Sequence, residues 1–378
     1  MAIWTELRAS RATGAGLAAV GVFWGGFAAF LPDYKVAAGA TDSQLGAVLI
    51  LSAAGGMAAM AVSPRLSAAL AHRTLPLAAM LVAGVAFLPL WIGSLWSLAL
   101  VLLVMGAAMS TLDIAANVRI SLLEDRLALH LMNLNHALFS FAFALAAFGT
   151  GLARKAGWSP SLVAPLLALV LLALAVLMIE RADAPPEASP PEARRSPWGA
   201  ILPAAAILFA AFVSENATET WSALHIERTL GGAKGEGSFG PAMLGMMMGV
   251  GRLSGQFLAA RLGEARLVAG SAVLGSLGAL IVALAPSQPM ALLGVALIGL
   301  GVAVVVPSAN SLLGRAVVPA QCGYAISRAW MIGFTGFFIG PVGMGLIAQT
   351  VGLRWSFVAV ACAMALILPG LRRLVRRR

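Results

Sequence analysis

The sequence predicts an all-α membrane protein with twelve transmembrane helices in two pseudo-symmetric six-helix halves. Three observations carry that prediction. Sixty per cent of the 378 residues are hydrophobic and 11% are charged, with a mean hydropathy of +0.93, whereas a soluble domain carries roughly a quarter charged residues. Twelve apolar runs can be laid along the chain, each near the ~20 residues that a spanning helix needs. One polar, proline-rich segment divides those runs six and six.

The first six runs fall at about 12–32, 43–63, 76–95, 97–120, 133–153 and 161–180. The first follows Glu6, Arg8 and Arg11 and is too long for the core of a signal peptide, so it reads as an uncleaved helix. Arg181 to Pro197 holds five prolines and several charges, and is read as a solvated cytoplasmic linker. The last six runs fall at about 198–222, 239–262, 267–285, 289–313, 326–349 and 355–371. Pro307 and Pro341 interrupt the tenth and eleventh and are expected to bend them. The resulting domains are 1–180, the linker 181–197, and 198–378 with its basic tail.

Charge sets the orientation. With the N-terminus inside, 18 of the 25 Lys and Arg fall on the inner face, 6 on the outer face, and Arg252 lies mid-span. This bias predicts cytoplasmic termini and an inner-membrane location of bacterial type. The net charge of +10 sits between apolar runs and in the tail Arg372–Arg378 rather than on a basic stripe interleaved with aromatics, so nucleic acid is excluded as a partner. Cys322 and Cys362 give no disulfide framework. Neither cofactor nor metal is called for, and a monomer is expected, with a small solute, protons and the bilayer as partners.

The halves also repeat. Gly106 precedes Asn117 by eleven residues and Gly299 precedes Asn310 by eleven. Leu45-Gly46 matches Leu244-Gly245, Gly149-Thr150-Gly151-Leu152 matches Gly343-Met344-Gly345-Leu346, and a Trp-Ser follows each, at Trp158 and Trp355. Glycine pairs at spacing four (Gly21/Gly25, Gly245/Gly249, Gly251/Gly255, Gly336/Gly340) permit close helix contact.

Chemistry concentrates where polar groups enter these runs. Asp113 and Asn117, four apart in the fourth run, share one helix face. A carboxylate there costs about 2.5–3.5 kcal/mol on insertion scales, so it marks a solute or proton site; the alternative is inter-helix glue. The fifth run opens with Asn133, Asn135 and His136, and His136 titrates near neutrality and is placed to pair with Asp113. The seventh run carries Glu215, Asn216, Glu219 and Trp221. Glu219 reads as a rim charge, whereas Glu215 is the expected partner of Arg252, for structure or for gating. Trp24, Asp113, Asn117, Asn135, His136, Asn216, Trp221 and Asn310 are the expected cavity residues. Asp113, His136, Glu215 and Arg252 are the expected coupling and gating residues.

Leu112-Asp113-Ile114-Ala115-Ala116-Asn117, followed by Met132-Asn133-Leu134-Asn135-His136-Ala137-Leu138-Phe139-Ser140, resembles the helix 4–5 signature of fucose-permease-like major facilitators. It is closer still to the YbjJ-type branch, which Glu215–Leu224 and Arg252 also resemble. Two parallel halves joined by a linker are the layout of that fold. The resemblance implies proton-coupled transport of a sugar-like solute by alternating access, with Asp113 as the central carboxylate. Three departures stand out. Phe23–Pro32 lacks the helix 1 carboxylate of such sugar permeases. The loop motif at Ser63–Arg73 has lost its Asp and second Gly. A Gly-Pro stretch similar to the antiporter motif, Gly336–Gly343, lies in the eleventh run rather than the fifth. The rival readings are a drug or metabolite exporter of the same fold and a membrane enzyme. The second lacks a catalytic constellation, because the four His residues have no acidic partner in a loop motif.

Overall fold

The computed structural model describes residues 2–127, 129, 131–180, 197–318 and 321–376, and every regular element among them is helical. A short helix, Ala2–Ala9, precedes the bundle. The first half comprises α1 (Arg11–Ala37), α2 (Asp42–Leu70), α3 (Thr74–Val85), α4 (Leu95–Leu127), α5 (Met132–Lys155) and α6 (Pro160–Leu177). The second half comprises α7 (Trp198–Leu224), α8 (Phe239–Leu262), α9 (Glu264–Leu284), α10 (Gln288–Ala303 and Val305–Arg315), α11 (Cys322–Gly333 and Gly336–Thr350) and α12 (Leu353–Val375). Eleven of these are long and apolar enough to cross a membrane. The 24-residue α8, carrying Arg252, is the twelfth. Of the proline-rich segment only Pro197, at the start of α7, is among the described residues; the rest of the linker assignment lies outside them.

The halves are built alike. In the first, α1 packs on α5, α2 on α4 and α3 on α6; in the second, α7 packs on α11, α8 on α10 and α9 on α12. The sequence repeat has a steric basis in this pairing. Gly106 of α4 lies against the Ser52 carbonyl of α2, and its counterpart Gly299 of α10 lies against the Leu244 carbonyl of α8. Asn117 bonds His136 across α4 and α5, and Asn310 bonds Trp330 across α10 and α11.

Backbones approach most closely where the glycine pairs sit. A Cβ on Gly25 would stand 2.2 Å from the Phe143 carbonyl oxygen, and one on Gly336 would stand 2.8 Å from that of Phe209. Between the halves, α5 packs on α8 and α2 on α11. Gly46 and Gly345 bring the latter pair into backbone contact. Gly25→Ala should therefore destabilise the bundle by about 1–3 kcal/mol, the usual cost of overpacking. Thermal unfolding in detergent tests this against Gly149→Ala, whose Cβ would meet nothing within 4 Å. Equal melting temperatures for the two variants would contradict it.

The structure departs from the sequence expectation at three helices. α10 breaks at Val304, because Pro307 has no N–H for the Ala303 carbonyl four residues back. α11 breaks at Phe334–Thr335, so Pro341 sits inside a continuous helix segment. α7 extends beyond residue 222 to Leu224 and continues as a π-turn, His225–Thr229. That extension matters for Glu219, as described below.

We name the membrane faces by the chain ends: the near side holds both termini and the far side holds the α1–α2 and α7–α8 connections. On the far side four ion pairs cross between halves. These are Arg154–Glu227 at 2.7 Å, Lys155–Glu236 at 2.8 Å, Lys234–Asp33 at 3.7 Å, and Arg228–Asp42. The Lys155 ammonium and the Ala233 N–H hold the Glu236 carboxyl below its usual range, so that pair contributes to closure above this range and weakens on acidification. At the near ends Arg119–Glu180 and Arg315–Glu264 each stay within one half. The bundle is thus tied shut at its far side.

Candidate functional site

Six helices, α1, α2, α4, α5, α7 and α11, enclose a cavity of about 250 Å3 between the halves. α1 supplies Trp24 and Phe27, α4 supplies Ser110 and Asp113, and α5 supplies Phe139. α7 supplies Glu215, Asn216, Glu219 and Thr220, and α11 supplies Phe334, Phe337 and Pro341.

Helical periodicity explains these placements. On α4, Ser110, Asp113 and Asn117 follow one face, while Leu112 and Ala116 turn into the bundle and are fully buried. On α7, residues 215, 216, 219 and 220 form one stripe. Trp221 lies two positions beyond Glu219, about 200° round the helix. It is fully buried with its indole N–H unpaired, and does not line the cavity. Its expected role in the cavity is therefore corrected to a place in the core.

Two further expected cavity residues also point elsewhere. Asn135 is fully buried one position from His136, accepts a hydrogen bond from Thr13 Oγ1 at 3.0 Å, and donates to the Leu131 carbonyl at 2.7 Å. It ties α1 to α5. Asn310 accepts from Trp330 Nε1 at 3.0 Å and ties α10 to α11. Asn117 and His136 stand just behind the wall rather than on it.

The expected pairing of His136 with Asp113 is replaced by a relay. Asn117 Nδ2 donates to Asp113 Oδ1 at 3.2 Å and to the Asp113 carbonyl at 2.9 Å. Asn117 Oδ1 faces His136 Nε2 at 3.0 Å. An amide oxygen only accepts, so Nε2 carries the proton in this arrangement. The amide fits between the two because it offers a donor to the carboxylate and an acceptor to the ring.

Arg252 extends the chain across the half interface. Its guanidinium donates to the His136 carbonyl at 3.1 Å and to Ser140 Oγ at 2.5 Å, both on α5. It also meets Glu215 Oε1 at 3.4 Å on α7 and stands over the Phe139 ring at 6.0 Å. Asp113, Asn117 and the His136 ring thus form one hydrogen-bonded run on the first-half side, and Arg252, bound to the main-chain carbonyl of His136, links the same helix to Glu215 on the second-half wall. A forked guanidinium suits the junction because it binds three acceptors at fixed angles.

The sequence reading missed two groups. Glu219 is a cavity residue, not a rim charge: the π-turn carries α7 on to Thr229, about 15 Å past Glu219 at 1.5 Å per residue. Arg154 reads in the sequence as a loop charge. In the structure only 1% of it is exposed, and it is bound by Asp33 at 2.7 Å and by both oxygens of Glu227 at 2.7 and 3.4 Å. Opposite charges at far-side helix ends were the available signal.

Comparisons with known proteins agree with this architecture. The profile of the Major Facilitator Superfamily matches residues 13–268. An uncharacterized MFS-type transporter of Yersinia pestis is 28% identical over 359 residues, 93% of this chain and 91% of that protein. An uncharacterized transporter of Sinorhizobium fredii is 26% identical over 370 residues, 94% and 96% of the two chains. A crystal structure of a mutant of the nucleoside transporter NupG superposes with a TM-score of 0.71 at 15% identity, covering 97% of this chain and 99% of that one. The protein belongs to the Major Facilitator Superfamily of membrane transporters.

Proposed function

We propose that this transporter moves a small polar, sugar-like solute across a bacterial inner membrane by proton-coupled alternating access, with both termini in the cytoplasm. The run from Asp113 through Asn117 to His136, tied at the His136 backbone to Arg252 and so to Glu215, carries this reading. It joins an ionisable group of each half through a residue at their interface. A change of charge at either end is therefore felt where the halves must part. In the working mechanism, protonation of Asp113 removes a charge that would otherwise cross an occluded apolar state at high cost. Solute hydroxyls bond Asn216 and the carboxylates, and the aromatic rings stack on the sugar ring.

The basic residues of the near side support its assignment to the cytoplasm, and the residues of α4 and α5 keep the likeness to the fucose-permease-like branch. The aromatic walls favour a second reading, export of a drug or metabolite. The polar groups set among those walls, Asp113, Glu215, Asn216, Glu219 and Thr220, favour the polar solute. The test uses proteoliposomes holding a pH-sensitive dye and challenged with radiolabelled sugars and sugar derivatives. The expected result is proton movement whenever a labelled compound is carried. Carriage with no proton movement would remove the coupling. Carriage of large apolar drugs in place of sugars would favour export.

A further inference from the structure

The proposed solute reading leaves the cavity's charge unexplained. Among the described residues, three carboxylates line it, those of Asp113, Glu215 and Glu219, and no basic side chain does. The one guanidinium nearby, on Arg252, is bound to Glu215, Ser140 and the His136 carbonyl. Asp113 receives only the Asn117 amide. Asn216 adds a buried carbonyl oxygen with no hydrogen-bond partner. Ser52, Ser110, Thr220, the Asn216 amide and the Trp24 indole add neutral donors, but the charged groups of the lining are all carboxylates. Trp24, Phe27, Phe139, Phe334 and Phe337 add π faces among aliphatic residues.

We infer that the solute is a small organic cation, a polar compound bearing an ammonium group, seated between Glu219 and Asp113 against the aromatic wall. An ammonium offers three N–H donors and a positive charge, the complement of the carboxylates in this lining. It also supplies a countercharge to Asp113 and Glu219, neither of which is in an ion pair among the described residues, and buried charges are paired. Aromatic faces add cation–π attraction once water is displaced. A neutral sugar meets the acceptors but leaves the charge unbalanced. An acidic sugar is repelled. Since Asp113 belongs to the first half and Glu219 to the second, the cation would bridge the halves and bind most tightly when both walls close on it.

This inference rests on the proposed transport role, and its test separates the two. The probes are glucosamine, glucose and glucuronate, which match in size and differ in charge, with galactosamine, galactose and galacturonate as a second set. Binding to the purified full-length protein is read by thermal shift and by isothermal titration at fixed pH. The expected order is amine above neutral sugar above acid. Glu219→Gln should weaken the amines at least ~10-fold, a loss of about 1.4 kcal/mol, while leaving the neutral sugars unchanged. Gly149→Ala, whose Cβ would meet nothing within 4 Å, serves as the control outside the cavity. If the neutral sugars bind as tightly as the amines, or if Glu219→Gln weakens both alike, the cation assignment fails and sugar transport stands. If none of the six binds, the cation assignment fails as well, and the proton-movement assay alone decides whether coupled transport remains.

Discussion

Asp113→Asn should abolish concentrative transport while sparing exchange. One proton moving down a pH gradient of one unit releases about 1.4 kcal/mol and so sustains an approximately tenfold solute ratio across the membrane. In proteoliposomes with that gradient, the wild-type ratio should approach this limit and the variant ratio should fall to unity. Solute exchange without a gradient should continue at raised solute concentration, because Glu219 still faces the solute and the substituted amide still fills the space and meets Asn117, whose side chain lies 3.2 Å from Asp113 Oδ1. The effect is total rather than partial because this is the ionisable cavity residue of the first half, and nothing else on that wall can carry the proton. Tenfold accumulation by Asp113→Asn would disprove its coupling role. A folded variant that fails to exchange even at saturating solute would indicate that the carboxylate serves solute binding alone.

Arg154→Ala should have the largest effect on stability and on the balance of conformations. Its side chain is 1% exposed and receives carboxylates from both halves, Asp33 on α1 and Glu227 after α7. Phe30 lies under the guanidinium at 5.7 Å. Removing one member of a buried ion pair leaves its partners unpaired and costs about 3–5 kcal/mol. The part of the loss carried by Arg154–Glu227 falls on the far-side-closed state, since that contact joins the halves only while the far ends meet, whereas Arg154–Asp33 lies within the first half. The far side should therefore open more often. Ser238, fully buried against Gly151 at the far ends, reports on this. A Ser238→Cys variant lacking Cys322 and Cys362 should resist a membrane-impermeant thiol reagent, and should label rapidly once Arg154→Ala is added. Arg154→Lys, which keeps the charge but loses the fork, should fall between the two. Unchanged labelling in a folded Arg154→Ala protein would exclude the latch.

Several features of this architecture were readable before any coordinates. Apolar runs of spanning length are nearly sufficient to define helices in a bilayer, because backbone polar groups there must be satisfied within the helix itself. The repeat of Gly106 with Asn117 and Gly299 with Asn310 correctly paired α4 with α10, because close backbone approach tolerates only the smallest residue. Asp113, Glu215 and Arg252 stood out for their cost in hydrocarbon, and the Arg252–Glu215 pair is present. Trp221 and Asn135 looked equally eligible and are turned away from the cavity. Their polar atoms mark them as unusual, but helix phase decides which neighbour they meet.

The sequence by itself therefore determined the class of protein, the number and order of its spans, their pseudo-repeat and the identity of the costly charges. Each of these depends on local composition or on the energetics of one group in a bilayer. Only the tertiary structure decided that Asn117 stands between Asp113 and His136, that Arg252 joins the halves, that Glu219 faces the cavity, and that Arg154 is a buried latch. Those outcomes depend on helix rotation and on where α7 ends. Both are set by packing between segments far apart in the chain, and no local pattern of residues encodes the relative phase of two helices.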